Sequence, residues 1–429
     1  MIQTKFFGIS SIHLQFSPDT WPFSLEQLPQ PSYVVGGWVR DTLRGHAASY
    51  LDLDFVLPAS AVEIASAIAC AYSAGFVLLD PERQIARVVF EQGTADFALQ
   101  VGSSLTTDLQ RRDFTVNAIA YNPHTQTITD PLQGCADLEQ GVIRMISAEN
   151  LAADPLRLLR AYRQAAQLHF RLEPTTQRTI RQLAPCLQQV AAERVRVELG
   201  YLLASEAGTV WLEAAWQDGL LDYWLPEASA AGIAQINEWD SVATLLLQTW
   251  PDLKIPLLSP VSQRSKSGDS NCPTLLATAK LTGLVSPNPA QAASNLLRLK
   301  YSRAEINLVT LLLQLLPQVQ SIKALAVLSR REQYFLFQKA GPAFPVLAIM
   351  AISQGTPIQA IAPFIERYLT PNDAIAHPMP LISGKDLINK LHLRPGPQIG
   401  QLLSTLEIAQ AEGNVSTPEE ALALARELI

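Results

Sequence analysis

Two carboxylates with a spacing suited to metal binding lie in one short apolar segment. Asp52 and Asp54 are two residues apart in a run bounded by Leu51 and Val56. Because side chains alternate along a β-strand, both carboxylates point to the same face of the predicted strand. Such close acidic groups repel each other unless a cation lies between them, and carboxylate oxygens are ligands that Mg²⁺ prefers. The pair predicts a site for Mg²⁺, with two ions expected for phosphoryl transfer.

A double glycine, Gly36-Gly37, lies between the apolar run Tyr33–Val35 and a predicted helix. Backbone amides in a glycine turn at a helix start can face a phosphate group. Arg40 follows as a fixed positive partner for that phosphate, although a surface ion pair with the adjacent Asp41 is an alternative. Together the glycines and carboxylates indicate metal-assisted chemistry on a nucleotide.

Four segments within residues 34–163 resemble one enzyme family: VVGGWVRDTLRG, LDLDFVLP, DLQRRDFTVNAIAY and DPLRLLRAYR. They resemble the bacterial-type (class II) tRNA nucleotidyltransferases, which share their head domain with bacterial poly(A) polymerases. A weaker match, ISGKDLINKLHLRPGPQIGQLL, lies near the C-terminus. The resemblance implies transfer of CMP, and in some members AMP, from CTP or ATP to the 3′-hydroxyl of tRNA. This transfer uses no nucleic-acid template and releases pyrophosphate.

The resemblance also implies roles for individual residues. Asp52 and Asp54 would be the catalytic metal ligands, and Asp96 is a candidate third carboxylate, with a plain strand-edge aspartate as the alternative. Asp113 is a candidate for the ribose hydroxyl, and Asn117 is expected to hold the geometry of the loop. The expected nucleotide-binding residues are Gly36, Gly37, Arg40, Arg111, Asp113, Asp154, Arg157, Arg160 and Arg163.

Asp154 and Arg157 begin the most discriminating of these segments. An Asp followed by Pro155 predicts a helix with Asp154 as its N-cap, and capping alone would explain that residue. With Arg157 one turn further, the pair presents an acceptor beside a fork of donors, which matches the base edges of cytosine and adenine. The family reads the base in this way. Its members usually have Glu before this Asp, whereas this sequence has Ala153, so one brace for Arg157 is missing.

The predicted base-reading region is locally basic although the whole chain carries a net charge of −7. Residues 151–200 contain eight arginines, no lysine and four acidic residues. An ordinary solvated helical face is one explanation, but the guanidinium group suits phosphates and base edges. Near the C-terminus, Lys385 and Arg394 lie in the segment that resembles the part of the family that binds the far end of tRNA. The resemblance makes them candidate tRNA-binding residues.

The connection after the predicted strand Ala95–Leu99 bears on which nucleotides are added. Only Gln100–Ser104 separates that strand from the segment before Arg111, and it contains neither a basic nor an aromatic residue. Family members that complete the CCA end carry a longer mobile segment here. The short connection therefore favours addition of two cytidines only. The alternatives are full CCA addition, poly(A) synthesis and, from another class, a non-catalytic RNA-binding relative.

Length and patterning predict an α+β protein with several domains. Short strands alternate with helices up to about residue 145, and helical periodicity follows from Asp154 onward. We expect a mixed-sheet nucleotidyltransferase head followed by all-α neck, body and tail domains. The expected boundaries are an N-terminal extension (1–28), the head (29–145), the neck (146–205), the body (206–370) and the tail (371–429). A polar loop, residues 261–273, interrupts the helical part, and neither its role nor that of the extension follows from the sequence.

Apolar run lengths and cysteine spacing bear on the cellular location of the protein. The longest apolar run, residues 343–352, contains Pro345 and is too short to span a bilayer, and no secretory leader is apparent. Four scattered cysteines form no C-x-x-C pair, which fits a reducing cytoplasm and argues against structural zinc. We expect a cytoplasmic enzyme without membrane association, and the sequence identifies no obligatory protein partner.

Overall fold

The structure is a computed structural model that describes residues 16–46, 50–261, 273–319 and 328–429. The chain divides into two compact units, Met1–Val190 with Gln217–Leu220, and Ala191–Trp216 with Leu221–Ile429. The predicted polar loop lies almost entirely outside the described residues, as do residues 1–15. The finer division into neck, body and tail remains a prediction.

A seven-stranded mixed sheet forms the centre of the first unit, and it confirms the predicted head. Its strands are β1 (Tyr33–Val35), β2 (Leu51–Leu57), β3 (Gly75–Asp80), β4 (Ile85–Phe90), β5 (Gly93–Leu99), β6 (Ala120–Asn122) and β7 (Thr127–Thr129). The strand order is β3-β4-β5-β2-β1-β6-β7, with β2 and β5 parallel and the other neighbours antiparallel. Two helices, α1 (Gly37–Leu43) and α2 (Ala61–Ala71), connect the strands β1, β2 and β3.

Side chains alternate along β2 between the core face of the sheet and the face that carries the two carboxylates. Leu53, Phe55 and Leu57 are buried, and the intervening Asp52 and Asp54 lie on the opposite face. The core face of the sheet is covered in part by the N-terminal segment, residues 16–28. Its Trp21 and Phe23 pack against Phe55, with ring centroids 5.2 and 5.6 Å apart. The described part of the N-terminal extension therefore supports the strand that carries both carboxylates.

The rest of the first unit is mainly helical and continues directly from the sheet. Buried Leu158, Leu159, Tyr162, Ala165 and Ala166 follow the predicted helical period. Two short strands, β8 and β9, pair in parallel. The elements are α3 (Leu105–Gln110), α4 (Gly134–Gln140), β8 (Val142–Ile143), α5 (Ala148–Ala153), α6 (Leu156–Leu168), β9 (Arg171–Leu172) and α7 (Pro174–Leu183).

A buried carboxylate, Asp218, fixes the helices of this region to one another. It accepts hydrogen bonds from Tyr162 Oη on α6, from Gln177 Nε2 on α7 at 2.8 Å and from Arg181 Nε at 2.8 Å. Burial works to raise the pKa of Asp218, but these hydrogen bonds hold the pKa below its usual value. The carboxylate is therefore charged and satisfied at neutral pH.

Helices build the second unit, as predicted. Two of its internal ties are an ion pair from buried Lys280 to Asp240 at 2.7 Å and an apolar cluster around Leu387, Leu402 and Leu406 near the C-terminus. The helices are α8 (Ala192–Ala204), α9 (Gly208–Gln217), α10 (Ala230–Thr249), α11 (Lys254–Leu258), α12 (Leu275–Ala279), α13 (Pro289–Arg298), α14 (Arg303–Val319), α15 (Arg330–Ala340), α16 (Phe344–Ser353), α17 (Ile358–Leu369), α18 (Gly384–Leu391), α19 (Pro397–Glu412) and α20 (Pro418–Glu427).

One stretch of the second unit, Arg330–Ser353, has the length and hydropathy of a membrane-crossing segment among the described residues. It comprises α15, a 3₁₀ turn and α16, and 61% of its most apolar window is buried inside the protein. Its apolar side chains therefore serve as core for the neighbouring helices.

Candidate active site

The two predicted metal ligands lie side by side on β2. Asp52 is exposed and its Oδ1 accepts a hydrogen bond from Thr94 Oγ1 at 2.7 Å, whereas Asp54 is half-buried. Thr94 is the register partner of Asp52 on β5, so the parallel pairing of these strands sets this contact. The arrangement leaves one carboxylate facing solvent and the other facing the protein.

Asp54 has the electrostatic environment expected of a cation ligand. Burial raises its pKa to about 6, Arg112 opposes that rise, and the neighbouring carboxylates of Asp96 and Asp52 add to it. A divalent ion between Asp52 and Asp54 would relieve this repulsion, because it offsets both charges. The two carboxylates thus fit the role of metal ligands.

Asp96, the candidate third carboxylate, is already engaged by an arginine. It is the register partner of Asp54, and its Oδ1 and Oδ2 accept hydrogen bonds from Arg87 Nε and Nη2 at 2.6 and 2.8 Å. No group of three or more candidate ligands converges among the described residues. Direct metal binding by Asp96 remains a prediction, and it would require Asp96 to release part of this bidentate pair.

The double glycine forms the start of α1 and faces Asp54. Gly36 is the N-cap with φ +78° and ψ −142°, and Gly37 is the first helical residue. A Cβ atom on Gly36 would lie only 2.8 Å from Asp54 Oδ2, whereas a Cβ on Gly37 would meet only Arg40 Nη2 at 3.6 Å. Gly36 is therefore required by both backbone conformation and the space that Asp54 occupies.

Arg40 pairs with Asp41, as the alternative explanation predicted, and also with Asn117. Its Nε and Nη2 donate to both oxygens of Asp41 at 2.8 Å, which is the predicted alternative pair, and its Nη1 donates to Asn117 Oδ1 at 2.9 Å. The side chain is thereby fixed beside the glycine turn. Its predicted contact with a phosphate remains a prediction.

Arg111 and Arg112 share one buried carboxylate. Asp108 Oδ1 accepts from Arg111 Nε at 3.2 Å and Asp108 Oδ2 from Arg112 Nη2 at 3.5 Å. Arg112 is the residue that the sequence argument missed, because its Nη1 would lie 3.7 Å from a Cβ at Gly36 and its charge acts on Asp54. The doubled arginine was visible in the sequence, but the sequence does not show which of the two faces the carboxylates.

Asp113 lies in a buried polar network rather than at an open surface. Its Oδ1 accepts from Asn117 Nδ2 at 2.9 Å and its Oδ2 from Arg160 Nε at 3.1 Å. Asn117 Nδ2 also donates to Gln164 Oε1 on α6 at 3.0 Å. Burial works to raise the pKa of Asp113, but Arg160, Asn117 and the Phe114 amide hold it below its usual value. The network fixes the loop geometry expected of Asn117 and connects the loop to α6.

The predicted base-reading pair lies where α5 meets α6, and its helix begins one residue later than expected. Pro155, not Asp154, is the N-cap of α6, so the predicted capping position is wrong. Asp154 is instead the residue at which α5 ends, with φ −137° and ψ 90°, because a residue before proline avoids helical geometry. Arg157 Nη1 donates to the main-chain oxygens of Arg111 and Asn150, each at 3.0 Å.

The remaining candidates are Arg163 in the first unit and Lys385 and Arg394 in the second. Arg163 Nη1 donates to Gln167 Oε1 at 2.8 Å. Lys385 and Arg394 are both exposed in the second unit. Their roles in binding nucleotide and tRNA stay predictions.

The short connection between β5 and α3 is held at several points. Gln100 N donates to Leu57 O at 2.7 Å, Val101 N donates to Asp108 Oδ1 at 3.1 Å, and Ser104 caps α3. Gly102 has φ +82°, and a Cβ there would lie 2.5 Å from Thr107 Cγ2. The connection is thus a fixed turn with little freedom to reach other parts of the protein.

Family models match most of the chain. The poly(A) polymerase head domain matches residues 32–102 and 90–144, a probable RNA- and SrmB-binding site of polymerase A matches 169–231, and a putative second domain of tRNA nucleotidyltransferases matches 275–425. A CC-adding tRNA nucleotidyltransferase of Synechocystis sp. is 47% identical over 95% of this chain and 96% of the relative. The chain belongs to the tRNA nucleotidyltransferase family.

Two further comparisons place it within that family. An A-adding tRNA nucleotidyltransferase of Deinococcus radiodurans is 34% identical over 93% of this chain and 96% of the relative. The solved Thermotoga maritima CCA-adding enzyme complexed with tRNA matches with a TM-score of 0.66 at 22% identity, covering 93% of this chain and 91% of that one. The structural likeness confirms the predicted fold, and the relatives confirm that the chain is a nucleotidyltransferase of a metal-dependent family.

Proposed function

We propose that this tRNA nucleotidyltransferase adds two cytidines to the 3′ end of tRNA and leaves the terminal adenosine to another enzyme. The observation that carries the proposal is the fixed connection Gln100–Ser104. Changing the pocket from C to A requires the base-reading groups or the RNA end to move, because the two bases differ in size and edge geometry. A five-residue turn hydrogen-bonded to Leu57, Asp108 and Thr107 is too short and too constrained to drive that movement.

The similarity to the Synechocystis relative, which is named as CC-adding, supports this specificity. The Deinococcus relative is named as A-adding, and its lower identity gives that activity less support. Within one family, therefore, overall similarity and the local connection favour the same product. Full CCA addition and poly(A) synthesis remain as the outcomes against which the proposal is tested.

In the proposed reaction, the 3′-hydroxyl of tRNA attacks the α-phosphorus of CTP, and pyrophosphate leaves. Asp52 and Asp54 would hold the divalent cations, for which we propose two Mg²⁺ ions. Bound there, the ions would lower the pKa of the attacking hydroxyl and offset the charge of the leaving pyrophosphate. The chain's own contribution is to place the reacting groups in line and to balance phosphate charge.

The residues around the carboxylates would bind the nucleotide. We assign the triphosphate to the amides of Gly36 and Gly37, to Arg40 and to the Arg111–Arg112 pair. Asp113 would bind a ribose hydroxyl, for which its buried carboxylate must release part of its network with Asn117 and Arg160. Asp154 would accept a hydrogen bond from the amino group of cytosine while Arg157 donates to its ring acceptors. Uracil presents a carbonyl in place of the amino group. That carbonyl oxygen would face the Asp154 carboxylate and be repelled by it, so UTP would bind poorly.

Four further candidate residues would contact the nucleotide or the tRNA without reading the base. Arg160 and Arg163 would add positive charge near the nucleotide, and Lys385 and Arg394 would contact tRNA phosphates to fix its position. A cytoplasmic location follows from this substrate and stays a prediction.

The test is product analysis with both nucleotides present. Purified protein receives a tRNA that ends at its discriminator base, together with CTP, ATP and Mg²⁺, and the products are separated at single-nucleotide resolution. We expect extension by two cytidines. A third residue would make the protein a full CCA-adding enzyme, a long A tail would make it a poly(A) polymerase, and no incorporation at all would favour the RNA-binding alternative.

A further inference from the structure

Three successive main-chain carbonyl oxygens in the turn before Asp113 accept hydrogen bonds from side chains of the following segment. Asn150 Nδ2 donates to Gln110 O at 2.7 Å and to Arg112 O at 2.8 Å. Arg157 Nη1 donates to Arg111 O, the carbonyl between them, at 3.0 Å. The turn that carries both arginines is therefore clamped to the start of the base-reading helix.

Asn150 is well suited to form this clamp. A side-chain amide has two N–H donors, which match the two carbonyl oxygens that flank Arg111 O. Its own backbone is held on α5, because Asn150 N donates to the N-cap Ser147 Oγ at 3.2 Å. Its main-chain oxygen accepts from Arg157 Nη1 at 3.0 Å. The same residue thus holds the turn on one side and the Arg157 guanidinium on the other.

We propose that Asn150 is a positioning residue for base selection, which acts by fixing the direction of the Arg157 guanidinium. The inference rests on the proposed role of Arg157 in reading the base. Position 153 is alanine and offers no carboxylate to brace the arginine. Two main-chain oxygens, from Arg111 and Asn150, take that place. The Asn150 side chain fixes the turn that carries the Arg111 oxygen, and the Asn150 main chain supplies the second oxygen.

The consequence for selectivity follows from the geometry of the donor fork. A guanidinium recognises a base edge through donors in a fixed plane, so its discrimination depends on its orientation. Without the Asn150 amide, Gln110 O and Arg112 O lose their partners, the turn relaxes and Arg111 O no longer holds Arg157. We expect the ratio of kcat/KM for CTP to that for UTP to fall about tenfold, the scale of one hydrogen bond to a charged group.

The experiment compares Asn150→Ala, Asn150→Asp, Arg157→Ala and the double variant Asn150→Ala/Arg157→Ala. For each, kcat/KM is measured with CTP and with UTP on a tRNA that lacks its CCA end, and the melting temperature is recorded. Asn150→Asp keeps the size but places an oxygen against a carbonyl, so it should reduce the ratio at least as much as alanine does. Asn122→Ala is the matched control, since Asn122 Oδ1 accepts from the His124 and Thr125 amides within the β6–β7 hairpin. Its ratio should equal that of the wild type.

The double variant distinguishes the inference from the proposed function. If Asn150 acts through Arg157, its removal changes the ratio in the wild-type background and adds nothing in the Arg157→Ala background. An unchanged ratio in Asn150→Ala, or a further fall in the double variant, would overturn the inference while base reading stands. An unchanged ratio in Arg157→Ala would overturn base reading itself. Asn150 variants that fail to fold would make the residue structural and would also refute the inference.

Discussion

Replacing Gly36 by alanine tests whether the glycine turn and Asp54 form one site. The added Cβ would lie 2.8 Å from Asp54 Oδ2, while ordinary contacts begin at 3.4 Å, so the two groups must separate by about 0.6 Å. Asp54 is a proposed metal ligand, and a 1 Å misplacement of a reacting group costs about a hundredfold in rate. We therefore expect kcat to fall by roughly ten- to a hundredfold.

The same substitution also strains the backbone. At φ +78° and ψ −142° a residue with a side chain is disfavoured, by about 1–3 kcal/mol. For a unit of this size each kcal/mol lowers the melting temperature by about 2–4 °C. The expected loss of stability is therefore modest, and the loss of rate should persist at temperatures where the variant is fully folded.

Gly37→Ala is the matched control for this prediction. Its Cβ would meet only Arg40 Nη2 at 3.6 Å, and alanine favours the helix that begins there. The assay is single-turnover incorporation of CMP into tRNA at saturating CTP, with melting curves for both variants. Equal rates for the two variants would refute the argument that Gly36 makes room for the Asp54 carboxylate.

Three other predictions concern the metal site, the helical part of the first unit and the product. Asp52→Ala removes one of the two proposed metal ligands, so CMP transfer with Mg²⁺ should be abolished while tRNA affinity, measured by filter binding, stays near wild type; appreciable turnover would contradict the assignment. Asp218→Asn removes a buried charge whose pKa is lowered in the folded state, so it should lower the free energy of unfolding by about 2 kcal/mol at pH 7. That stabilisation is present above the unfolded pKa and is lost as pH falls through the folded one, so the gap to wild type in chemical denaturation should begin to narrow below about pH 4, and an equal gap at pH 3 would contradict it. A longer loop grafted from a CCA-completing relative in place of Gln100–Ser104 should restore addition of the terminal A, and a graft that folds but still stops at CC would count against the loop argument.

Local patterning was sufficient for the strand that carries the carboxylates. The alternation in the run bounded by Leu51 and Val56 predicted a strand with both carboxylates on one face, and β2 contains that run. The strand predicted at Ala95–Leu99 forms most of β5, which begins at Gly93. These features depend on near neighbours in sequence, which is why the sequence sufficed.

The pairing of Arg87 with Asp96 could have been predicted from the sequence, because it follows from the register of one hairpin. The hairpin between β4 and β5 has a two-residue loop, Glu91-Gln92, so Phe90 pairs with Gly93. Counting outward from that loop places Arg87 opposite Asp96. The position of Asp96 beside Asp54 is different, because the parallel pairing of β2 with β5 joins distant segments and has no local determinant.

Contacts between distant segments account for the rest of what was missed. The cover formed by residues 16–28, the orientation of Arg112 toward Asp54 and the Asn150 clamp each join segments far apart in sequence. The start of α6 at Leu156 was missed by one residue because α5 runs directly into α6, and a sequence pattern does not show where one helix ends and the next begins.

The specificity for two cytidines is tested most directly with a tRNA that already ends in CC. This tRNA and ATP are given to the purified protein with Mg²⁺, and incorporation of labelled AMP is followed over many turnovers. A parallel reaction with an A-adding enzyme shows that the tRNA is a competent acceptor. The fixed connection Gln100–Ser104 predicts no incorporation by this protein, and AMP addition at a rate comparable to that of CMP would contradict the account.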